Sequence, residues 1–337
     1  MTGVQTCALP ILVLFLLFPR VSGPLWGLPR DAYAGLTGIS DSMEPGSISQ
    51  LSLSDEVAMR VEFFGAVPDQ GRLYWRGPVL WHNDGRKWTR GRTTSAVPGP
   101  VRVSGDAIRY AITQEPTNQN WLFALEMPEQ APASGFFSTD FQLLAREPVR
   151  QRIRYELISR LDYQLDIAAE DDLWRALQLP AGQHPQAVKL GAAWQASGDE
   201  AAAIVQRALQ MFNEEEFYYT LAPPLLAGDN VDEFLFGTRR GFCEHYAGAL
   251  VVLMRAAGVP ARVVTGYQGG EYNPLGNYML VRQSAAHAWT EVWLGARGWV
   301  RVDPTAAIAP ERVMADATGT DRKSTRLNSS HMSESRM

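Results

Sequence analysis

Cysteine is nearly absent from this chain: 337 residues hold two, Cys7 and Cys243. No intrachain disulfide framework is therefore expected, even in an oxidising compartment. There is no Cys-x-x-Cys and no His-x-x-x-His pair, so the spacing that marks structural zinc is missing and no metal ligation is expected. No Asp-x-Asp-x-Asp-Gly loop stands out as a calcium site. No long basic block occurs in the body of the chain, and 31 Lys plus Arg stand against 36 Asp plus Glu, a net charge of −5. Nucleic acid is not an expected partner. No internal repeat is evident. The apolar run from Ala8 to Phe18 falls short of the roughly 20 residues that a bilayer requires. It reads as the last turns of a truncated membrane helix; a signal-peptide core and a buried apolar segment are the rival readings.

The two ends are set aside from fold reasoning. Met1–Cys7 and the stretch Arg322–His331 resemble translated sequencing-adapter read-through. Residues 1–19 are taken as that leader plus the membrane-helix remnant, and residues 316–337 as a non-native tail. Residues 20–50 are rich in Gly, Pro and Ser and read as an irregular linker.

What the chain does have is apolar material for a core: 46% of it is hydrophobic, and ten tryptophans are present. Two domains of ordinary size fit. Residues 51–165 alternate apolar and polar residues in short runs, as in Val57–Phe63, Arg102–Ser104, Ile108–Ile112 and Ile153–Leu157. Turn signals such as Asn83-Asp84-Gly85 separate them. This spacing predicts a small, β-rich, sandwich-like domain. Trp75, Trp81 and Trp88 are expected in its core; a platform for carbohydrate or peptide is the sharper reading. Residues 166–315 change character. Two helical patterns, Pro185–Ser197 and Glu200–Asn213, precede an extended Phe217–Leu221 that Pro223 and Pro224 break.

The chemistry lies after residue 240. Gly241-Phe242-Cys243 leads into a helical pattern with Ala247, Leu250, Val251 and Met254 on one stripe, and Gly258 and Pro260 end it. Cys243 is thus placed at a helix N-terminus, where the macrodipole and unpaired N–H groups are expected to lower the thiol pKa. The plain alternative is a small buried apolar residue. Gly241 allows close backbone approach before the turn. Further on, Ala286–Trp293 and Gly298–Thr305 face each other across Gly295-Ala296-Arg297 as an antiparallel hairpin. Opposed residue numbers in such a pair have a constant sum. Trp293 with Trp299 and His287 with Asp303 share parity, so His287 and Asp303 lie on one sheet face, opposite or one diagonal apart. An imidazole and a carboxylate there can bond, which fixes the tautomer and supports an imidazolium. His245 sits two residues into the helix and points elsewhere. His82 reads as surface and His184 as helix-entry structure.

These blocks, Gly-Phe-Cys-Glu-His-Tyr-Ala, Arg-Ala-Ala-Gly-Val-Pro-Ala-Arg-Val-Val-Thr-Gly-Tyr, His-Ala-Trp-Thr-Glu-Val-Trp and Gly-Trp-Val-Arg-Val-Asp-Pro-Thr, resemble the transglutaminase-like superfamily. The bacterial membrane-embedded, TgpA-like type is the most similar. The motifs span residues 241–305, and the wider resemblance runs over roughly residues 20–315. It implies an α+β fold: a papain-like transglutaminase core, with N-terminal helices packed on an antiparallel sheet, preceded by the β-rich domain. It implies Cys243 as nucleophile, His287 as general base and acid, and Asp303 as its orienter. It also implies a second oxyanion donor upstream of the cysteine, for which Tyr218 and Tyr219 are candidates beside the Cys243 N–H. Trp289 and Phe242 are candidate walls of the site.

The implied reaction is acyl transfer through a thioester, from a protein or peptide glutamine donor to a lysine or other amine acceptor, with no cofactor. A cysteine hydrolase of the same fold (deamidase, peptidase or cell-wall amidase) and a non-catalytic binding scaffold are the alternatives. The family setting places such a domain on the periplasmic face of the bacterial inner membrane, anchored by an N-terminal helix bundle.

Overall fold

The computed structural model describes residues 38–91, 102–165 and 170–314. The leader with its apolar run, the linker up to residue 37 and the tail lie outside the described residues. Among the described residues no helix is long and apolar enough to cross a membrane.

The alternating runs of the N-terminal half become strands: β1 (Val57–Phe63), β2 (Tyr74–Leu80), β3 (Ile108–Gln114), β4 (Ala124–Leu125), β5 (Met127–Pro128) and β6 (Ile153–Arg160). Two helices follow, α1 (Pro185–Ala196) and α2 (Ala201–Glu214). Short strands β7 (Tyr218–Tyr219) and β8 (Arg240–Gly241) lead into α3 (Cys243–Ala256). The chain ends in β9 (Ala261–Gln268), β10 (Glu271–Asn273), β11 (Tyr278–Arg282), β12 (Ala286–Trp293) and β13 (Trp299–Val302).

Two larger sheets organise these strands. The five-stranded sheet has the order β13-β12-β9-β2-β4, and the six-stranded sheet β10-β11-β1-β3-β6-β5. Their named ladders are antiparallel. The two regions thus exchange strands across residue 166. Strand β2 adds Leu80 and Val79 alongside Val263 and Val264 of β9. In return β11 aligns Met279 with Val61 of β1. The sheets meet through aromatic rings: Trp75 lies 6.2 Å from Phe63 and 6.0 Å from Tyr110, centroid to centroid. The expected sandwich therefore uses the core sheet as one of its layers. Trp75, Trp81 and Trp88 are all in the core.

Helix α3 is buried around its whole circumference from Cys243 to Arg255, broader than the single stripe read from the sequence. A helix apolar on every side belongs in the interior. On one side the Thr290 hydroxyl of β12 donates to the Ala247 carbonyl at 3.2 Å. On another, Gly191 lets α1 approach so closely that a Cβ there would stand 2.5 Å from the Ala256 Cβ. Gly258 ends the helix at φ +77°, where a side chain is disfavoured.

Beneath the sheet, buried Glu291 of β12 accepts from Arg262 Nε of β9 at 2.8 Å and pairs with Arg76 of β2. Three strands are pinned together by one carboxylate, which fixes the register of the strand that carries His287. Residues 20–50 were expected to be irregular; within the described part this needs correction. Ser42–Met43 pairs with Trp88–Thr89, and Ser47–Leu51 forms a short helical segment. Buried Ile39 and Met43 hold the segment to the body, and Glu244 supplies the acceptor that its first turn lacks.

Candidate active site

Cys243 opens α3, preceded by Gly241, where a Cβ would lie 2.6 Å from the Phe234 ring. Beside its sulfur lie the backbone N–H groups of Glu244 and Ala288, both of which favour the thiolate. The first is the helix-start donor read from the sequence. The second belongs to the His287–Ala288 peptide, which brings the thiol to the strand that carries His287. The ladder between β12 and β13 begins only at Thr290, which leaves the strand edge at Ala288 open for the sulfur.

The hairpin register is the predicted one: Trp293 pairs with Trp299 and Thr290 with Val302. Asp303 stands one residue past the ladder, on the diagonal from His287. The two side chains bond, with His287 Nε2 and Asp303 Oδ2 2.8 Å apart. That contact engages Nε2, so any proton exchange by the ring runs through Nδ1. Asp303 Oδ1 accepts from the Thr305 N–H at 3.0 Å and the Thr305 hydroxyl at 2.7 Å. The Tyr74 hydroxyl donates to Oδ2 at 2.7 Å. Burial alone would raise the Asp303 pKa. The His287 ring and these donors outweigh it and hold the carboxyl well below its usual range.

The expected low thiol pKa is corrected. Burial drives the Cys243 thiol well above its ordinary value, and the nearby carboxylates of Glu244 and Asp303 add to that, against the two N–H donors. The dipole argument is sound locally, but complete burial costs a thiolate more than two N–H bonds return. The resting sulfur is therefore a neutral thiol.

Of the two tyrosine candidates the structure brings one to the thiol. The Tyr219 hydroxyl faces the Cys243 thiol. Burial raises the phenol pKa, as does the neighbouring Cys243, so it stays a donor. Its backbone lies beside Gly241 in a parallel ladder. Tyr218, one residue earlier, turns away and places its ring 5.6 Å from the Arg240 guanidinium. Phe242 packs its ring 5.0 Å from that of Tyr219. Trp289 stacks along His287 at 6.3 Å with a 24° interplanar angle. Both candidate walls thus touch a site residue and are almost wholly buried.

His245 is no rival base. Its Nδ1 accepts the Phe242 N–H at 3.2 Å, and burial lowers its pKa to about 4. It caps the helix start in neutral form. His184 is buried at the entry to α1 and bonds Asp229 through Nδ1 at 2.6 Å; His82 is exposed. Sequence reasoning missed Tyr74, Gln268, Glu244 and the Ala288 N–H. Tyr74 and Gln268 carry no local motif, Glu244 lies within the Gly-Phe-Cys-Glu-His-Tyr-Ala block without a signal of its distant partners, and a backbone donor has none to show.

Residues 188–304 match the family model described as the transglutaminase-like superfamily, and residues 3–166 match the TgpA N-terminal domain. The crystal structure of the periplasmic domain of TgpA from Pseudomonas aeruginosa superposes with a TM-score of 0.79 at 45% identity. The match covers 82% of this chain and 96% of that one. The chain belongs to the transglutaminase-like superfamily. A Pseudomonas aeruginosa protein-glutamine gamma-glutamyltransferase is 45% identical over 314 residues, which is 92% of this chain. The chain spans 47% of that relative's length. A Bacillus subtilis protein of uncharacterised role, YebA, is 47% identical over 81 residues, 23% of this chain and 11% of its own. The expected α+β fold, with a transglutaminase-like core and an N-terminal β-rich region, is the observed one.

Proposed function

We propose that this transglutaminase-like chain is a protein-glutamine gamma-glutamyltransferase, with Cys243 as nucleophile, His287 as base and acid, and Asp303 as orienter. The observation that carries the reading is the His287 imidazole bonded to the buried Asp303 carboxylate, with the Cys243 thiol lying by the N–H of the next residue, Ala288. The thiol proton passes to His287 Nδ1 as the sulfur attacks a glutamine γ-carboxamide carbon. The tetrahedral oxyanion is met by the Tyr219 hydroxyl and the backbone N–H of Cys243. His287 returns the proton to nitrogen, the C–N bond breaks, and ammonia leaves a thioester on Cys243. An amine, deprotonated by His287, then attacks the thioester. An isopeptide bond forms, and the thiol is restored.

The identity to the Pseudomonas glutamyltransferase supports amine rather than water as the acceptor. The similarity to a periplasmic domain supports the periplasm as the compartment. Membrane attachment through an N-terminal helix bundle belongs to the same reading.

The test is mass spectrometry of a quenched reaction with a glutamine-containing protein such as casein and a labelled primary amine. An acyl adduct on Cys243 and amine in the product are expected, both lost in Cys243→Ala. Amine incorporation that persists in Cys243→Ala ends the proposal. Glutamate as the sole product, with amine in excess, makes the chain a hydrolase.

A further inference from the structure

The carboxylate of Asp303 has no unoccupied oxygen. Thr305 takes Oδ1 with two donors, while Oδ2 is shared by His287 Nε2 at 2.8 Å and the Tyr74 hydroxyl at 2.7 Å. The Tyr74 hydroxyl in turn accepts from Gln268 Nε2 at 2.8 Å. A phenol engaged as donor and acceptor at once has a fixed direction, and the incoming bond from Gln268 strengthens the outgoing one to Asp303. The ring cannot swing away. Tyr74 is 4% exposed, its ring meets Trp289 edge-on at 5.3 Å, and the Arg301 guanidinium lies over it at 3.8 Å. Arg301 is itself paired with Glu126. Tyr74 comes from β2, 229 residues before Asp303, from the half of the chain that lies outside the family core.

We propose that Tyr74 is a positioning residue for the reaction. Its hydroxyl aims Oδ2 of Asp303 at His287 Nε2 and draws off part of the carboxylate charge, which keeps the imidazole from becoming too strong a base. The inference rests on the reading of Cys243, His287 and Asp303 as the catalytic group. Through Tyr74 and Gln268 the β-rich region and β9 enter the chemistry without touching substrate.

Without the hydroxyl, Oδ2 carries more charge and stabilises an imidazolium at His287 better. The other titratable and charged groups around the pair are Arg301 of β13 with its partner Glu126, Cys243 and Glu244 at the start of α3, and Tyr219 of β7. Substitution of Tyr74 or Gln268 removes none of them.

The experiment measures alkylation of Cys243 by iodoacetamide, read by peptide mass spectrometry, from about pH 5 to about pH 10. The chains are wild type, Tyr74→Phe, Gln268→Met and His287→Ala, with kcat and KM for amine incorporation alongside. In Tyr74→Phe the limb on which labelling rises with pH is expected to move up by about one pH unit. Gln268→Met moves the same way by less. In both variants kcat falls while KM holds. A Tyr74→Phe profile that overlays the wild type, or moves down, overturns the proposal. Gln268→Met decides by the same criterion should Tyr74→Phe fail to fold. Wild-type labelling that survives His287→Ala removes the catalytic reading and this inference with it. Labelling that needs His287 but ignores Tyr74 and Gln268 removes this inference alone.

Discussion

Glu244 follows Cys243 on the first turn of α3, and its carboxylate reaches back to the N-terminal segment. It accepts the Gly46 and Ile48 N–H groups at 2.7 and 2.6 Å and the Ser47 hydroxyl at 3.3 Å. Burial raises its pKa to about 6, against the pull of these donors. The residue that latches the segment to the body is thus also a negative charge close to Cys243, and it raises the thiol pKa.

Replacing Glu244 by Gln separates those two effects. The amide removes the charge, so Cys243 should alkylate roughly three to ten times faster at a given pH, the effect of half to one unit in thiol pKa. An amide nitrogen cannot accept, so one backbone donor is orphaned, at a cost of about 1–3 kcal/mol in folding stability. Alkylation rates and a denaturant midpoint read the two separately. Slower alkylation in a stably folded variant would contradict the assignment.

Tyr219 and Tyr218 are neighbours with opposite fates, one at the sulfur and one against Arg240. Tyr219→Phe removes an oxyanion donor and should lower kcat roughly 100- to 1000-fold with a smaller change in KM. Tyr218→Phe should leave kcat within about twofold, as expected for a side chain outside such a feature. Steady-state kinetics of both variants check this. Equal losses would mean that the hydroxyl at the thiol is not the donor.

The sequence made the proposed triad legible because each member lies in a segment whose geometry is local. A helix start places Cys243, and the parity of one hairpin places His287 against Asp303. The remainder depends on contacts between distant parts of the chain. Tyr74 and Gln268 reach Asp303 only because β2 pairs with β9, and no pattern within 51–165 singles out that tyrosine. The direction of the Cys243 shift failed for the same reason. The helix dipole can be read from position, but the degree of burial cannot. The choice between Tyr218 and Tyr219 waited on which face of a two-residue strand meets α3.

Gly266 sits opposite His287 in the β9–β12 ladder. A Cβ there would lie 2.0 Å from the Trp75 carbonyl oxygen and 2.9 Å from the Trp289 ring. Neither the backbone of β2 nor a buried indole yields cheaply, so Gly266→Ala should cost about 1–3 kcal/mol or more. Because Trp289 stacks along His287, kcat of the folded fraction should also fall. Denaturant unfolding and kinetics on the same preparation test both. An unchanged midpoint would show that the sheet accommodates the methyl.

His245 makes stability depend on pH. Buried with its Nδ1 accepting the Phe242 N–H, it has a folded pKa of about 4, below the ordinary 6.5. For a base depressed on folding, the folded state binds fewer protons between those values. Its contribution is present above about pH 6.5 and lost as pH falls towards 4, up to about 3 kcal/mol. Glu244 acts in the opposite sense, because its folded pKa is raised from 4.5 to about 6. Its contribution is present below 4.5 and lost as pH rises through 6, about 2 kcal/mol. The wild-type midpoint should therefore fall modestly from pH 6.5 to pH 4.5, because the His245 loss outweighs the Glu244 gain. His245→Asn keeps an acceptor for the Phe242 N–H and removes the proton uptake that drives the fall, so the midpoint should no longer drop over that interval. Melting curves of both chains at several pH values decide it. A variant that loses stability towards acid as steeply as the wild type would rule out His245 as the neutral buried base.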